Sequence, residues 1–342
     1  GDIQVFDPKA IKQSLPMGEL KPASSRGTNK QESLLSGILN NQTQKGVFNE
    51  QITTQARAKK LQQQSGFRGG FGVLDESSGS NTAINRQENG NLAGLPVNIK
   101  GFTPSFNSRI AGTAQKYMES LGQKYAPPNK YVEVDEGRAS SIADLYDVME
   151  HNPADPEVLS AYNKMINETV EQYKVALDDG LKVEFIDFEK MGDPYGGSPR
   201  MATEDITKNN HMYVFSTKDG FGSDDSFDPI DNPLLKEVDF EISGQKALAN
   251  DIFRIVHDYF GHAKEGVGFR AGGEENAWRN HAPMYSPEAR RALTSETRGQ
   301  NSWLNYGRFG AQNKNAKVED TVFADQKIGL LPEWVSEGYK DF

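Results

Sequence analysis

The chain has 342 residues, a formal net charge of -10 and no cysteine. That length accommodates one large domain or two ordinary ones, with enough sequence for a sizeable core. The acidity argues against non-specific binding to nucleic acid or to an anionic membrane, both of which favour a basic stripe. The absence of thiols excludes disulfides, thiolate metal sites and thiol nucleophiles.

No apolar run approaches the roughly 18 residues needed to cross a bilayer, so a soluble protein is expected. The start at Gly1, without methionine or an apolar signal segment, is what a residue left from cloning or removal of preceding sequence would leave.

Residues 1–100 are rich in Gln, Asn, Ser and Gly and poor in aromatics, as in KPASSRGTNKQES, NNQTQKG and DESSGSNTAINRQENGNLAG. Such a segment buries too little apolar surface to offset a chain-entropy cost of about 1–2 kcal/mol per residue. It is expected to be a low-complexity polar arm or linker with a short helix around 51–64. Ordering of the arm against a protein partner is the alternative to a flexible linker.

From residue 101 onward the aliphatic and aromatic content rises, and 101–342 is read as one domain, mainly α with a small β-sheet. Helices are expected at 106–121 and 140–149. The clearest spans 155–179, where Leu159, Tyr162, Met165, Ile166, Val170, Tyr173 and Leu177 recur at three- and four-residue steps. Asn152 or Asp155 caps its start and Gly180 stops it. KVEFIDF at 182–188 and MYVFST at 212–217 read as short strands. Turn-rich loops are expected at 193–200 and 219–229, then helices at 244–260, 286–295 and 332–339.

The stretch VHDYFGHA at 256–263 holds two of the five histidines. On a regular α-helix, residues five apart differ by about 140° around the axis, so His257 and His262 do not share a face. A left-handed turn at Gly261, ending the helix, would swing His262 back toward His257. The pair alone is consistent with a structural contact or with a metal site. The segment FRAGGEENAWRNHAPMYSPEARRALTSETRGQNSW follows with Glu274, Glu275, His281 and Glu296. One carboxylate added to two imidazoles makes the facial set that suits Fe(II) and leaves positions for oxygen and substrate. Zinc in the same set would activate water instead.

HDYFGH resembles the H-[ED]-x-x-G-H iron-binding signature of the pterin-dependent aromatic amino acid hydroxylases. The similarity extends over about 250–307, through Phe269, Glu275, Pro287–Leu293 and the Thr294-Ser295-Glu296 segment. It implies a hydroxylase-like fold for 101–342, with His257, His262 and Glu296 as iron ligands. Glu275 then serves as an orienting group or substitute ligand. Asp258, beside the first histidine, is expected to orient an imidazole.

The resemblance also implies Fe(II), molecular oxygen, a small-molecule substrate and an external two-electron donor, for which tetrahydropterin is the family's choice. Ala263-Lys264 stands where the family has Val-Pro, and the family's pterin- and amino-acid-contacting residues have no counterpart here.

Tyr259, Trp278 and His281 are candidates to wall a substrate pocket. Arg298 and Gln300 are candidates for polar contacts to a carboxylate- or amide-bearing substrate. Glu296 has an alternative in an ion pair with Arg290, Arg291 or Arg298. No catalytic group beyond the ligands is assigned. The expected activity is that of a non-haem iron monooxygenase; a zinc hydrolase using the same residues is the second enzymatic alternative.

The longer pattern NDIFRIVHDYFGHA…GEENAW…ETRGQNSW is similar to a domain of bacteriophage proteins. It implies a structural or injected virion protein as a further reading, located in the particle or the host cytoplasm.

Overall fold

The computed structural model describes residues 106–126, 131–196, 198–221, 227–316 and 320–337, so the arm expected at 1–100 and the helix expected at 51–64 lie outside the described residues. Within them the chain is mainly helical, with two small sheets. Helix α1 (Ser108–Ser120) starts where Asn107 accepts a hydrogen bond from Ile110 N. Helix α2 (Glu136–Val148) starts on Asp135, which accepts from Arg138 N. That cap lies five residues before the start expected from sequence, and the cap side chain decides where the helix begins.

Helix α3 (Pro156–Asp178) follows the same logic at both ends. Asp155 accepts from the backbone N–H groups of Glu157 and Val158, with Pro156 in the first helical position. Gly180, at φ +88°, closes it: Leu181 N donates to Ala176 O five residues back. The stripe it buries contains Val158, Ala161, Tyr162, Met165, Tyr173 and Ala176, but also the polar Thr169 and Gln172. Those two are drawn inside by partners, since Thr169 bonds to the Tyr285 hydroxyl and Gln172 to His281.

Strands β1 (Lys182–Phe185) and β2 (His211–Val214) pair in parallel, from Lys182 opposite His211 to Phe185 opposite Val214. The crossover between them contains α4 (Phe188–Met191) and α5 (Pro199–Asn209), as parallel pairing requires a long connection. A short helix, α6 (Thr217–Phe221), stands at the head of the expected loop at 219–229. The expected helix at 244–260 begins later than the sequence suggests. Its first residues form β4 (Gln245–Leu248), antiparallel to β3 (Glu237–Ile242). Ser243 and Gly244, at φ +52° and +77°, make the two-residue turn between them.

Helix α7 (Ala249–His257) follows directly and is buried along its whole length. It runs without a break into a π-helical turn, Asp258–Ala263. Helix α8 (Ala271–His281), a 3-10 turn at Ala282–Met284 and helix α9 (Pro287–Thr294) come next. A second π-helical turn, Ser295–Gly299, leads into α10 (Gln300–Tyr306). Short helices α11 (Gly310–Asn313) and α12 (Glu333–Glu337) complete the described chain. Helix α3 packs against α7 and α9, and α8 packs against the first π turn. The main apolar core lies between them, with Trp278, Tyr259 and Phe260 among its largest buried side chains.

Candidate metal centre

The two histidines converge, by a route other than the one expected. Gly261 does not have a positive φ and does not end the helix. The backbone instead widens into the π turn, where Lys264 N donates to Tyr259 O five residues back. Bonding five residues apart stacks residue i+5 over residue i, much as α-helical bonding stacks i+4, so His257 and His262 come to one face. Their ring centroids are 5.0 Å apart and nearly perpendicular, at 87°.

Gly261 matters through closeness: a Cβ there would sit 3.3 Å from His257 Nδ1, His257 Cε1 and Ala277 Cβ. The glycine that stops the helix is Gly266, at φ +65°, beyond which Val267 N donates to His262 O.

The carboxylate that meets the pair belongs to Glu274. Its Oε2 lies 3.4 Å from His262 Nε2 and 3.6 Å from His257 Nε2. These three residues form the one buried group among the described residues whose ligand atoms lie within 4.8 Å of one another. Glu274 occupies the first turn of α8, where the helix dipole favours negative charge. Gly273 brings that turn in against the loop after the π turn; a Cβ on it would fall 1.8 Å from Gly268 O.

The charges interlock. Burial works to raise the Glu274 carboxyl, but the charge of the adjacent His262, with His257 close by, overcomes it and holds the group down at about 2. Burial likewise works against a charge on His262, yet Glu274, and then Asp258, lift its pKa above the ordinary value. For His257 burial prevails and the pKa falls.

The ring of His257 lies near-parallel to Phe253, and His262 stacks on Phe269 with centroids 4.1 Å apart. His262 is fully buried, while His257 and Glu274 keep 6% and 8% of their surface. Any opening toward solvent among the three is therefore on the side of His257 and Glu274.

The arrangement suits a divalent cation. His257 Nε2 and Glu274 Oε1 are buried without a hydrogen-bond partner, which costs free energy unless something else uses them. Ligands at about 2.1 Å from one ion stand roughly 3.0–3.5 Å apart, close to the separations seen here. Two imidazole nitrogens and one carboxylate oxygen fit Fe(II) or Zn(II) better than the oxygen-seeking Mg(II) or Ca(II).

Glu296, expected as the third ligand, lies outside that group. Its carboxylate sits in a separate buried network, accepting from Tyr162 Oη, Gln300 Nε2 and Gln326 Nε2. Burial pushes its pKa up to about 7. None of Arg290, Arg291 and Arg298 forms an ion pair with it: they meet Glu337, Glu157 and Glu275 respectively. Gln300, expected to touch substrate, instead bridges Glu296 and Gln326.

Glu275 and Arg298 are likewise engaged with each other. Arg298 Nε and Nη2 donate to the two Glu275 oxygens at 2.9 and 2.6 Å, and Arg279 Nε adds a third bond at 2.9 Å. The Arg298 guanidinium also lies 4.1 Å from the centroid of the Trp278 ring, and Trp278 Nε1 donates to Thr294. Trp278 is thus a core residue. Tyr259 points away from the centre, its hydroxyl accepting from Arg109 Nη1 at 3.0 Å. Asp258 acts on the centre through its charge, as the shift of His262 records.

His281, expected at a pocket wall, is fully buried behind His257, with the two Nδ1 atoms 3.3 Å apart. The signal for these positions was present in the spacing. Glu274, Trp278 and His281 stand at i, i+4 and i+7, which share one helix face once 271–281 is read as helical. Gln172, a polar residue inside an apolar stripe, marks the other end of the chain of contacts.

No family model matches the sequence, and neither a curated protein nor a solved structure matches the chain. No helix among the described residues is long and apolar enough to cross a membrane.

Proposed function

We propose that the chain is a non-haem Fe(II)-dependent monooxygenase of the hydroxylase type, with His257, His262 and Glu274 as the ligands. The observation that carries this reading is the buried His–His–Glu group, with ligand atoms of His257 and Glu274 otherwise unused. Two imidazoles and one carboxylate on one side of Fe(II) leave the remaining positions for oxygen and substrate. When bound, the iron supplies the activation of O2 needed to hydroxylate a small molecule.

The chain's own residues set the conditions for that chemistry. The π turn and Gly261 bring the imidazoles to one face, while Gly273 seats the Glu274 carboxylate against them. Phe253 and Phe269 flank the rings and keep water from the buried side. The similarity of HDYFGH to the aromatic amino acid hydroxylases supports iron and suggests tetrahydropterin as the electron donor. In this proposal the third ligand is Glu274 in place of the family-implied Glu296.

Metal analysis of protein purified without chelator tests the reading, followed by oxygen uptake with a reduced pterin and candidate aromatic amino acids. Iron near one equivalent, lost in His257→Ala, with substrate-dependent oxygen uptake, is the expected result. Zinc in its place would favour hydrolysis, and protein without metal but packaged in phage particles would favour a structural virion role.

A further inference from the structure

Behind the candidate centre a line of side chains runs from a main-chain carbonyl to Nδ1 of His257, the ring nitrogen that faces away from Glu274. Gln172 Nε2 lies 3.3 Å from Met284 O, Gln172 Oε1 lies 2.9 Å from His281 Nε2, and His281 Nδ1 lies 3.3 Å from His257 Nδ1. The direction of every proton in this line follows from its first member. A carbonyl oxygen only accepts, so Gln172 must turn its amide nitrogen toward Met284 and its oxygen toward His281. That oxygen also only accepts, so His281 must carry its proton on Nε2. A neutral imidazole then has a lone pair on Nδ1, which accepts the Nδ1 proton of His257. With its proton committed to the rear, His257 turns a bare Nε2 toward Glu274 and His262.

We infer that Gln172 and His281 are positioning residues that lock His257 in the tautomer able to bind a cation through Nε2. The inference rests on the reading of His257 as a ligand. All three side chains are buried, His281 and Gln172 completely, so water does not compete for these bonds. Groups that hold the far nitrogen of a ligating histidine fix its tautomer and ring orientation, and their loss typically weakens metal binding by about 10–100-fold.

The wild-type full chain, labelled with 15N at histidine and stripped of metal, gives the direct test by NMR at neutral pH. The chain holds five histidines, so single substitutions assign the ring signals. The expected spectrum has protons on His257 Nδ1 and His281 Nε2, with His257 Nε2 and His281 Nδ1 bare. A proton on His257 Nε2, or a mixture of tautomers there, would overturn the inference. This readout needs no bound metal, so it stands or falls separately from the metal centre.

Cobalt(II) titration followed by visible absorption gives the second readout. His281→Leu, which removes the acceptor, should weaken binding about 10–100-fold. His281→Gln, which keeps an acceptor, should restore it to within a few-fold of wild type. Equal cobalt affinity in wild type and His281→Leu would count against the role of His281. Failure of the wild type itself to bind cobalt, with the expected tautomers present, would remove the metal-centre reading and leave the hydrogen-bonded relay intact.

Discussion

Gly261 stands within 3.3 Å of the His257 ring and of Ala277, measured from the position a Cβ would take. A methyl group there asks each neighbour to yield a few tenths of an ångström, and a branched side chain asks for more than packed neighbours allow. Gly261→Val should therefore cost about 1–3 kcal/mol of stability and weaken metal binding at least tenfold. Denaturant unfolding and a metal titration of the same variant check both; unchanged metal affinity would show that the glycine does not set the ligand spacing.

Glu296 offers a second test at the same scale. Its pKa in the folded protein is raised to about 7, above the ordinary carboxyl value, so the folded state holds the proton more tightly than the unfolded state. The stability this contributes is fully present below the unfolded pKa and is lost as pH rises through about 7. Replacing the side chain with glutamine removes that titration. The difference in unfolding free energy between wild type and Glu296→Gln should shift by on the order of 3 kcal/mol between pH 4 and pH 8, in favour of the variant at high pH. Parallel pH–stability curves would contradict the assignment.

At the scale of elements, the structure turns on how α7 continues and how α8 begins. Gly273→Ala should impair the first turn of α8, because its Cβ would overlap Gly268 O; a loss of about 1–3 kcal/mol is expected, together with weakened metal binding. A crystal structure of this variant should show Glu274 displaced from the two histidines, and an unmoved Glu274 would contradict the role given to Gly273.

Several elements were legible in the residue order. Helix α3 was, because Asp155, Pro156, a recurring apolar stripe and Gly180 all agree. Strands β1 and β2 were, because short β-branched and aromatic runs stand between turn residues. The hairpin of β3 and β4 was not, since Gln245–Leu248, exposed at its first two positions and buried at its last two, has no alternation of its own although Glu237–Ile242 does.

Helix α8 was also missed, because its buried face contains Glu274, Asn276, Arg279 and His281, where an apolar stripe would ordinarily reveal it. The convergence of His257 and His262 was expected; the π turn that produces it was not, since a π turn depends on five-residue bonding with no marker residue of its own. Glu296 was expected beside the histidines and Glu274 stands there instead; the helical spacing of Glu274 and His281 is the sequence signal for it.

For the molecule as a whole, the buried polar groups divide into separate networks. One is the centre of His257, His262 and Glu274 with His281 and Gln172 behind it. Another is the Glu275–Arg298–Arg279 cluster packed on Trp278, and a third is Glu296 with Tyr162, Gln300 and Gln326. Breaking a buried ion pair from one side leaves the other charge uncompensated. Arg298→Met should thus lower stability by about 3–5 kcal/mol while leaving the metal content per folded chain unchanged. A loss of bound metal in that variant at temperatures where it stays folded would mean that the networks are coupled.

The most direct test of the central claim is the metal content of three proteins prepared side by side: wild type, Glu274→Ala and Glu296→Ala. If Glu274 completes the centre, wild type and Glu296→Ala each hold close to one equivalent of iron and Glu274→Ala holds little. Full occupancy in Glu274→Ala, with loss in Glu296→Ala, would contradict it.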